Sequence, residues 1–403
     1  MARILLLENP HASADEVFEH AGHEVIRVKG ALQGQDLIDA LDGVDMLGIR
    51  SKTNVTAEVI EACPQLQVIG CYCIGTNQVD LAAASKAGIA VFNAPYSNTR
   101  SVVELALAEM IALTRHLPER SHDMHKKRWI KSASGSHEVR GKTLGIVGYG
   151  SIGTQLSVLA EALGMRVVFY DIAEKLAIGN AKRVRSLDEL LAQADIVSIH
   201  IDGRPSNRGF FGRPEVQQMK KGSILLNLAR GFIVDVDAVV ERLEDGSLAG
   251  AGFDVFPHEP NANGEEFDSP LTRFPNVILT PHIGGSTLEA QESIGYFVAG
   301  KMLTYWRKGA TELSVNIPNI DSSPGEKSLY RIAWIHHNAP GALAMVNQAF
   351  ADSGANIDSQ MLATEGEIGY MTTDISSEIP DGVLESLEQS DLNIRLRVLK
   401  RGD

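Results

Sequence analysis

The apolar run Leu144 to Val147 ends directly in Gly148, Gly150 and Gly153, at the mouth of a helical stretch, and few folds accept that arrangement. A strand that turns tightly into a helix aims the first N–H groups of the helix at one spot, where they favour an anion. Gly148 permits the turn, Gly150 lets a phosphate approach the backbone, and Gly153 lets helix and strand lie close. With Ser151 and Ile152 in the first turn, the segment reads as a cradle for the pyrophosphate of a dinucleotide. Asp171 closes the next apolar run, 18 residues past Gly153, where an acid accepts hydrogen bonds from the adenosine ribose. A carboxylate there repels a 2′-phosphate, so NAD is the expected cofactor, although Lys175 or a nearby Arg can soften the discrimination. The plainer alternative is an ordinary strand-to-helix turn followed by a solvated acid.

Strand-like runs flank this motif on both sides. Arg3 to Leu7, Glu24 to Val28, Met46 to Ile49, Gln67 to Cys73 and Ile89 to Asn93 alternate with helical stretches, which predicts a first parallel sheet. A helix is expected from Ser101 to about His116, with Val103, Ala106, Leu107, Met110 and Leu113 at helical spacing. From Lys142 a second series follows: Leu144 to Val147, Arg166 to Tyr170, Ile196 to His200, Ile224 to Leu228, Gly250 to Phe253 and Val277 to Leu279. A helix from Ser286 to about Lys308 can return the chain to the first unit, and Asp321-Ser-Ser-Pro-Gly325 is the clearest linker.

Beyond the linker the order is βαββαβ: Tyr330 to His337, Gly341 to Ser353, Ile357 to Ala363, Tyr370 to Ile375, Val383 to Leu387 and Ile394 to Leu399. The expected fold class is therefore α/β, with two parallel-sheet domains of Rossmann-like and flavodoxin-like type and a ferredoxin-like C-terminal module. Residues 1–97 and 286–322 make a discontinuous substrate-binding domain, 98–285 the NAD-binding domain, and 329–403 the last module. A module this small is near the lower limit of independent stability, so pairing with another copy is expected.

Composition removes other classes. With 37 Lys and Arg against 51 Asp and Glu, the formal charge of −14 disfavours nucleic acid and anionic membranes as partners. The N-terminus reaches Glu8 and Pro10 too soon for a secretory signal, and no stretch approaches a membrane span. Cys63, Cys71 and Cys73 are sparse and odd in number, which fits a reducing cytoplasm; Cys71 and Cys73 alternate on a strand and make a poor zinc site, so no metal is expected.

Three later segments carry a family likeness: Leu225-Leu-Asn-Leu-Ala-Arg230-Gly-Phe-Ile-Val-Asp235, Asp254-Val-Phe-Pro-His-Glu259-Pro260 and Thr280-Pro-His282-Ile-Gly-Gly-Ser286. In order and spacing they resemble the D-2-hydroxyacid dehydrogenases. The resemblance implies Arg230 for substrate, His282 for acid/base chemistry and Glu259 as its partner, with Ala229, Asp254, Gly284 and Gly285 near the cofactor. Hydride loss from an alcohol makes the same demand, because a base must take the O–H proton as the carbonyl forms. A carboxylate on the second imidazole nitrogen fixes its tautomer, and a guanidinium fork matches a substrate carboxylate. Taken singly, each group also has a plain structural reading as a surface pair, a solvated acid or a core histidine.

Ile49-Arg50-Ser51-Lys52-Thr53 and Cys71-Tyr-Cys-Ile-Gly-Thr-Asn-Gln-Val-Asp80 look like the phosphoglycerate dehydrogenase branch of that family. By that resemblance Arg50, Ser51 and Thr53 lie near a substrate phosphate, and Ile74, Gly75 and Asn98 near its carboxylate. Lys131, in Arg128-Trp129-Ile-Lys131, adds charge at the cleft or is solvated. The implied reaction is NAD-dependent oxidation of 3-phospho-D-glycerate to 3-phosphooxypyruvate at the entry to serine synthesis, with 2-oxoglutarate reduction to 2-hydroxyglutarate as a side activity. The alternatives are another D-2-hydroxy acid as substrate and an NAD-sensing corepressor of the same fold.

The C-terminal module resembles an ACT domain, a family that often binds amino acids. Its first loop, Ile335-His-His-Asn-Ala-Pro-Gly341, implies L-serine as effector at His336 and Asn338, with Asn356 facing them across a subunit contact in a homo-oligomer, a tetramer. The alternative is a module that only oligomerises. Serine-responsive relatives often carry paired hinge glycines, whereas here Gly325 stands alone beside Pro324.

Overall fold

The computed structural model describes residues 1–260, 264–325 and 327–400. Contacts gather the chain into two units, one running to Ser97 and resuming at Gln291, the other spanning Asn98–Ala290.

The first unit begins with β1 (Arg3–Leu7), α1 (Ser13–His20), β2 (Glu24–Val28), α2 (Gly34–Ala40), β3 (Met46–Ile49), α3 (Ala57–Ala62), β4 (Val68–Cys71), α4 (Leu81–Lys86) and β5 (Ala90–Phe92). Its parallel sheet has the order β2-β1-β3-β4-β5, the flavodoxin-like winding. β3 and β4 are buried at every position, so they read as unbroken apolar runs and not as alternating ones. Thr56 and Asp80 cap α3 and α4 by accepting from the N–H groups of Val59 and Ala83.

The second unit contains α5 (Thr99–Thr114), α6 (Leu117–His125), β6 (Thr143–Val147), α7 (Ser151–Ala162), β7 (Arg166–Tyr170), β8 (Lys182–Arg183), α8 (Leu187–Gln193), β9 (Ile196–Ile199), α9 (Arg213–Gln218), β10 (Ser223–Asn227), α10 (Val236–Glu244), β11 (Leu248–Phe253) and β12 (Val277–Leu279). The sheet runs β12-β11-β10-β9-β6-β7-β8, with its winding reversed between β6 and β9. Ligands of such sheets bind at the carboxyl ends of the strands beside that reversal. The sequence reading did not foresee α6 or β8. None of α6 is buried, so it carries no apolar period, and β8 is only two residues long.

The chain then enters α11 (Leu288–Lys308), two residues later than expected, and the last module: β13 (Tyr330–His337), α12 (Ala342–Ser353), β14 (Ser359–Glu365), β15 (Ile368–Ile375), α13 (Asp381–Glu388) and β16 (Asn393–Lys400). These strands form an antiparallel sheet, β14-β15-β13-β16, of ferredoxin-like type. Ile332 and Trp334 pack on Val346, Phe350, Val383 and Leu387, while Ala333, Ile335 and Tyr370 join the core of the first unit with Phe92, Val298 and Tyr305. The central strands β13 and β15 are therefore buried on both faces within one chain, while the edge strand β14 is largely exposed. A buried ion pair fixes the junction. Arg331 grips Asp374 through Nε at 2.6 Å and Nη2 at 2.8 Å, and its Nη1 donates to the carbonyls of Lys308 and Ser322 at 2.8 and 2.7 Å. Among the described residues no helix is long and apolar enough to cross a membrane.

Candidate active site

At the end of β6 the backbone of Gly148 has φ +94°, and a Cβ there would fall 2.7 Å from the His200 carbonyl oxygen. A side chain at Gly153 would meet the Gly148 carbonyl at 2.3 Å, so helix and turn touch through bare backbone. Gly150, by contrast, faces open space, with nothing within 4 Å of a built Cβ. It is also the N-cap of α7 and offers no side-chain acceptor, so the N–H groups of the first turn, Ser151 and Ile152 among them, remain for a ligand. Asp171 is drawn to this turn: its carboxylate accepts from Tyr149 N and Ala173 N, both at 2.8 Å. An open phosphate cradle beside an acid at the end of β7 fits the adenosine and pyrophosphate of NAD. The other half of such a cofactor then extends toward the ends of β9 to β12, because those strands lie on the other side of β6.

Arg230, Glu259 and His282 follow β10, β11 and β12, three neighbouring strands. Asn227 brackets the first of them, accepting from Ala229 N at 3.2 Å and donating to Arg230 O at 3.1 Å. Arg230 itself donates Nη1 to the Ala229 carbonyl at 2.7 Å. The chain past Arg230 lies directly on the Glu259 loop, since a Cβ on Gly231 would fall 1.9 Å from the Phe256 carbonyl carbon. Phe256 in turn donates its N–H to Glu259 Oε1 at 3.0 Å. The other oxygen, Oε2, meets His282 Nδ1 at 2.7 Å, which leaves Nε2 for chemistry. Burial alone would raise the Glu259 carboxyl, but the hydrogen bonds from His282 and the Phe256 N–H, with the charges of His282 and Arg230, outweigh it and hold the group below the usual carboxylate range.

His282 has φ +53°, rare for a side-chain-bearing residue, and is held there by its N–H bonding to Asp254 O at 2.8 Å. Asp254 is 2% exposed and anchors the same segment with its carboxylate, accepting from Thr280 Oγ1 at 2.6 Å, Ile283 N at 2.7 Å and Gly284 N at 2.8 Å. Gly284 and Gly285 press on Asp254 and Asn98: built Cβ atoms would stand 2.9 Å from Asp254 Oδ2 and 2.3 Å from Asn98 Nδ2. Asn98 is buried, and its Oδ1 has no hydrogen-bond partner among the described residues. Ala229 is nearly buried, and Lys131 is exposed.

In the first unit the loop after β3 is shaped by Glu8, whose carboxylate accepts from the N–H groups of Arg50, Lys52 and Thr53 at 3.2, 2.9 and 2.8 Å. Arg50 is half-buried and Ser51 exposed, while Thr53 is 0% exposed and its hydroxyl has no hydrogen-bond partner among the described residues. Ile74 and Gly75 lie in the loop after β4, where Gln78 Nε2 donates to Gly75 O at 3.2 Å and Arg50 O at 2.6 Å, joining the two loops.

In the C-terminal module His336 lies at the end of β13, buried and stacked on Trp334 with ring centroids 4.4 Å apart. Its Nδ1 meets His337 O at 2.9 Å, and burial pulls the imidazole below its ordinary pKa. Asn338 is exposed and donates Nδ2 to Gly366 O at 2.9 Å. Asn356 is exposed too, and no hydrogen bond joins it to His336 or Asn338 among the described residues.

Two acids escaped the sequence reading. Glu8 acts on a loop more than 40 residues away, a relation that only folding creates. Glu109 is buried on the apolar face of α5, and its signal was present, since a carboxylate interrupts the stripe of Ala106, Met110 and Leu113.

Residues 107–284 match the model of the D-isomer specific 2-hydroxyacid dehydrogenase NAD-binding domain, and residues 332–390 match an AHAS small subunit-like ACT domain. The chain is 51% identical over 398 residues to D-3-phosphoglycerate dehydrogenase of Haemophilus influenzae, covering 98% of this chain and 97% of that protein. The enzyme of the same name from Escherichia coli K12 is 47% identical over 400 residues, with the same coverage. A solved structure of D-lactate dehydrogenase with NAD+ from Lactobacillus jensenii superposes with a TM-score of 0.65 at 26% identity, covering 75% of this chain and 96% of that one.

Proposed function

This chain belongs to the D-isomer specific 2-hydroxyacid dehydrogenase family and is an NAD-dependent oxidoreductase, and on that premise we propose that it oxidises 3-phospho-D-glycerate to 3-phosphooxypyruvate, the entry step to L-serine. Full-length kinship with proteins named D-3-phosphoglycerate dehydrogenase supports this substrate over other 2-hydroxy acids. The observation that carries the chemistry is the His282–Glu259 pair, set beside Arg230 on neighbouring strand ends.

Bound NAD supplies the hydride acceptor. Gly148, Gly150 and Gly153, with the N–H groups of Ser151 and Ile152, would hold its pyrophosphate; Asp171 would hold the adenosine ribose, and Ala229, Asp254, Gly284 and Gly285 would line its other half. His282 Nε2 takes the proton from the C2 hydroxyl as the carbonyl forms. Glu259, on Nδ1, keeps the ring oriented and stabilises the imidazolium. Arg230 pairs its fork with the substrate carboxylate and polarises the developing carbonyl.

Arg50, Ser51 and Thr53 are assigned to the phosphate end of the substrate. Ile74, Gly75 and Asn98 are assigned to the carboxylate end, and Lys131 to added positive charge. Reduction of 2-oxoglutarate would use the same proton donor and guanidinium. His336, Asn338 and Asn356 are assigned to L-serine in a cytoplasmic homotetramer, in which Asn356 faces the other two across subunits. The buried, stacked ring of His336 would act there mainly by shaping the loop.

NAD reduction with 3-phosphoglycerate and with unphosphorylated D-glycerate tests the substrate. We expect kcat/KM to fall by about a hundredfold or more without the phosphate, and L-serine to slow the reaction. Equal turnover of both acids would move the assignment to another 2-hydroxy acid, and no turnover of any would favour an NAD-sensing corepressor.

A further inference from the structure

Glu109 is 2% exposed, and neither oxygen of its carboxyl has a hydrogen-bond partner among the described residues. Its tip presses on the sheet. A Cβ built on Gly252 of β11 would lie 2.4 Å from Glu109 Oε2 and 2.8 Å from a methyl of Leu226 on β10. A buried polar group without a partner weakens a fold, and an apolar side chain would suit the stripe of Ala106, Met110 and Leu113 better. Two residues past Gly252, just beyond the end of β11, stands Asp254. Its carboxylate fastens Thr280, Ile283 and Gly284 and so positions the segment that carries His282.

Burial, and then the charge of Asp254, push the Glu109 carboxyl up to about 8, so near neutral pH an acid sits beside a carboxylate. The elements packed on α5 are α6, α7, β10, β11 and β12. β10 and β12 carry no titratable side chain, α7 carries Glu161, and α6 carries Glu119, Arg120, His122, Asp123 and His125. Asp254, beyond β11, is the charge that acts on Glu109. On the cofactor assignment above, adenosine at β7 and pyrophosphate at β6 would carry the nicotinamide toward the ends of β10 to β12, where the His282 N–H bonds Asp254 O. That ring is positively charged only when oxidised.

We propose that Glu109 is a positioning residue acting through Asp254: as a neutral acid it leaves one negative charge facing the nicotinamide, and on ionising it adds a second that favours oxidised over reduced cofactor. The inference rests on the NAD assignment above. Its consequence is linkage in both directions: rising pH shifts the binding preference toward NAD+, and NAD+ binding releases part of the Glu109 proton to solvent.

The test measures dissociation constants for NAD+ and for NADH separately, by calorimetric titration of the full chain at about pH 6.5 and about pH 9. Parent, Glu109→Gln and Glu109→Met are compared; Met keeps the apolar stripe intact should the buried amide of Gln disturb folding. All three proteins keep the same other side chains, so the comparison isolates Glu109. The preference for NAD+ over NADH should rise with pH by about fivefold more in the parent than in either variant. An equal rise in all three overturns the proposal, as does a parent in which both cofactors weaken together at high pH. If the parent binds neither cofactor at any pH, the NAD assignment itself falls and takes this inference with it.

Discussion

His282 is held at φ +53°, and the strain of that backbone, of order 1 kcal/mol, is offset by the N–H bond to Asp254 O and the side-chain bond to Glu259. The pair leaves the imidazole Nε2 at a strand end. Glu259→Gln keeps the shape but removes the charge that stabilises the imidazolium. We expect kcat to fall by about a hundredfold or more with cofactor affinity nearly unchanged, as steady-state kinetics and NADH fluorescence would check. Because the Glu259 carboxyl is held below its usual range, the parent pair should stay intact as pH falls until that lowered value is crossed, and only then be lost. The closeness of His282 and Glu259 was legible in the sequence through the family resemblance of the segments that carry them, each of which follows an apolar run. Glu8 was not legible, since its three acceptor bonds reach a distant loop; nor was the burial of Thr53, which depends on that same loop.

At the scale of elements, strands were the easiest to read. β13 stands at Tyr330–His337 as its apolar run predicts, and the fully buried strands β3 and β4 give unbroken runs. What sequence could not show was the second covered face of the C-terminal sheet. Three arginines fix it there: Arg331 holds Asp374 and the end of α11, Arg395 donates to the carbonyls of Leu66 and Pro64, and Arg397 donates to Tyr305 and Trp306. Apart from the Arg331–Asp374 pair, these contacts join side chains to backbone carbonyls that any residue carries, so no pattern of residue types announces them. Arg331 and Asp374 are each 1% exposed, and Arg331→Ala leaves a carboxylate buried without its counter-charge. A loss of about 3–5 kcal/mol is expected in chemical denaturation of the module, whereas an isosteric apolar replacement of both partners should cost far less. A change below about 1 kcal/mol for the single substitution would show that water reaches Asp374 in place of the arginine.

Across the whole molecule, two parallel sheets of different winding order and one antiparallel sheet divide the work that a single core could not hold. The length and the glycine motif made that division readable, but the anchoring of the last module on the first unit was not, because its arginines bond backbone carbonyls that no residue pattern announces. The account turns on one claim, that the imidazole of His282 moves the proton while NAD takes the hydride. NAD reduction by 3-phosphoglycerate, measured for the parent and for His282→Ala alongside NADH binding to each, tests it most directly. A fall in kcat of about a hundredfold or more with NADH affinity retained is the predicted result; an unchanged rate in His282→Ala would contradict it.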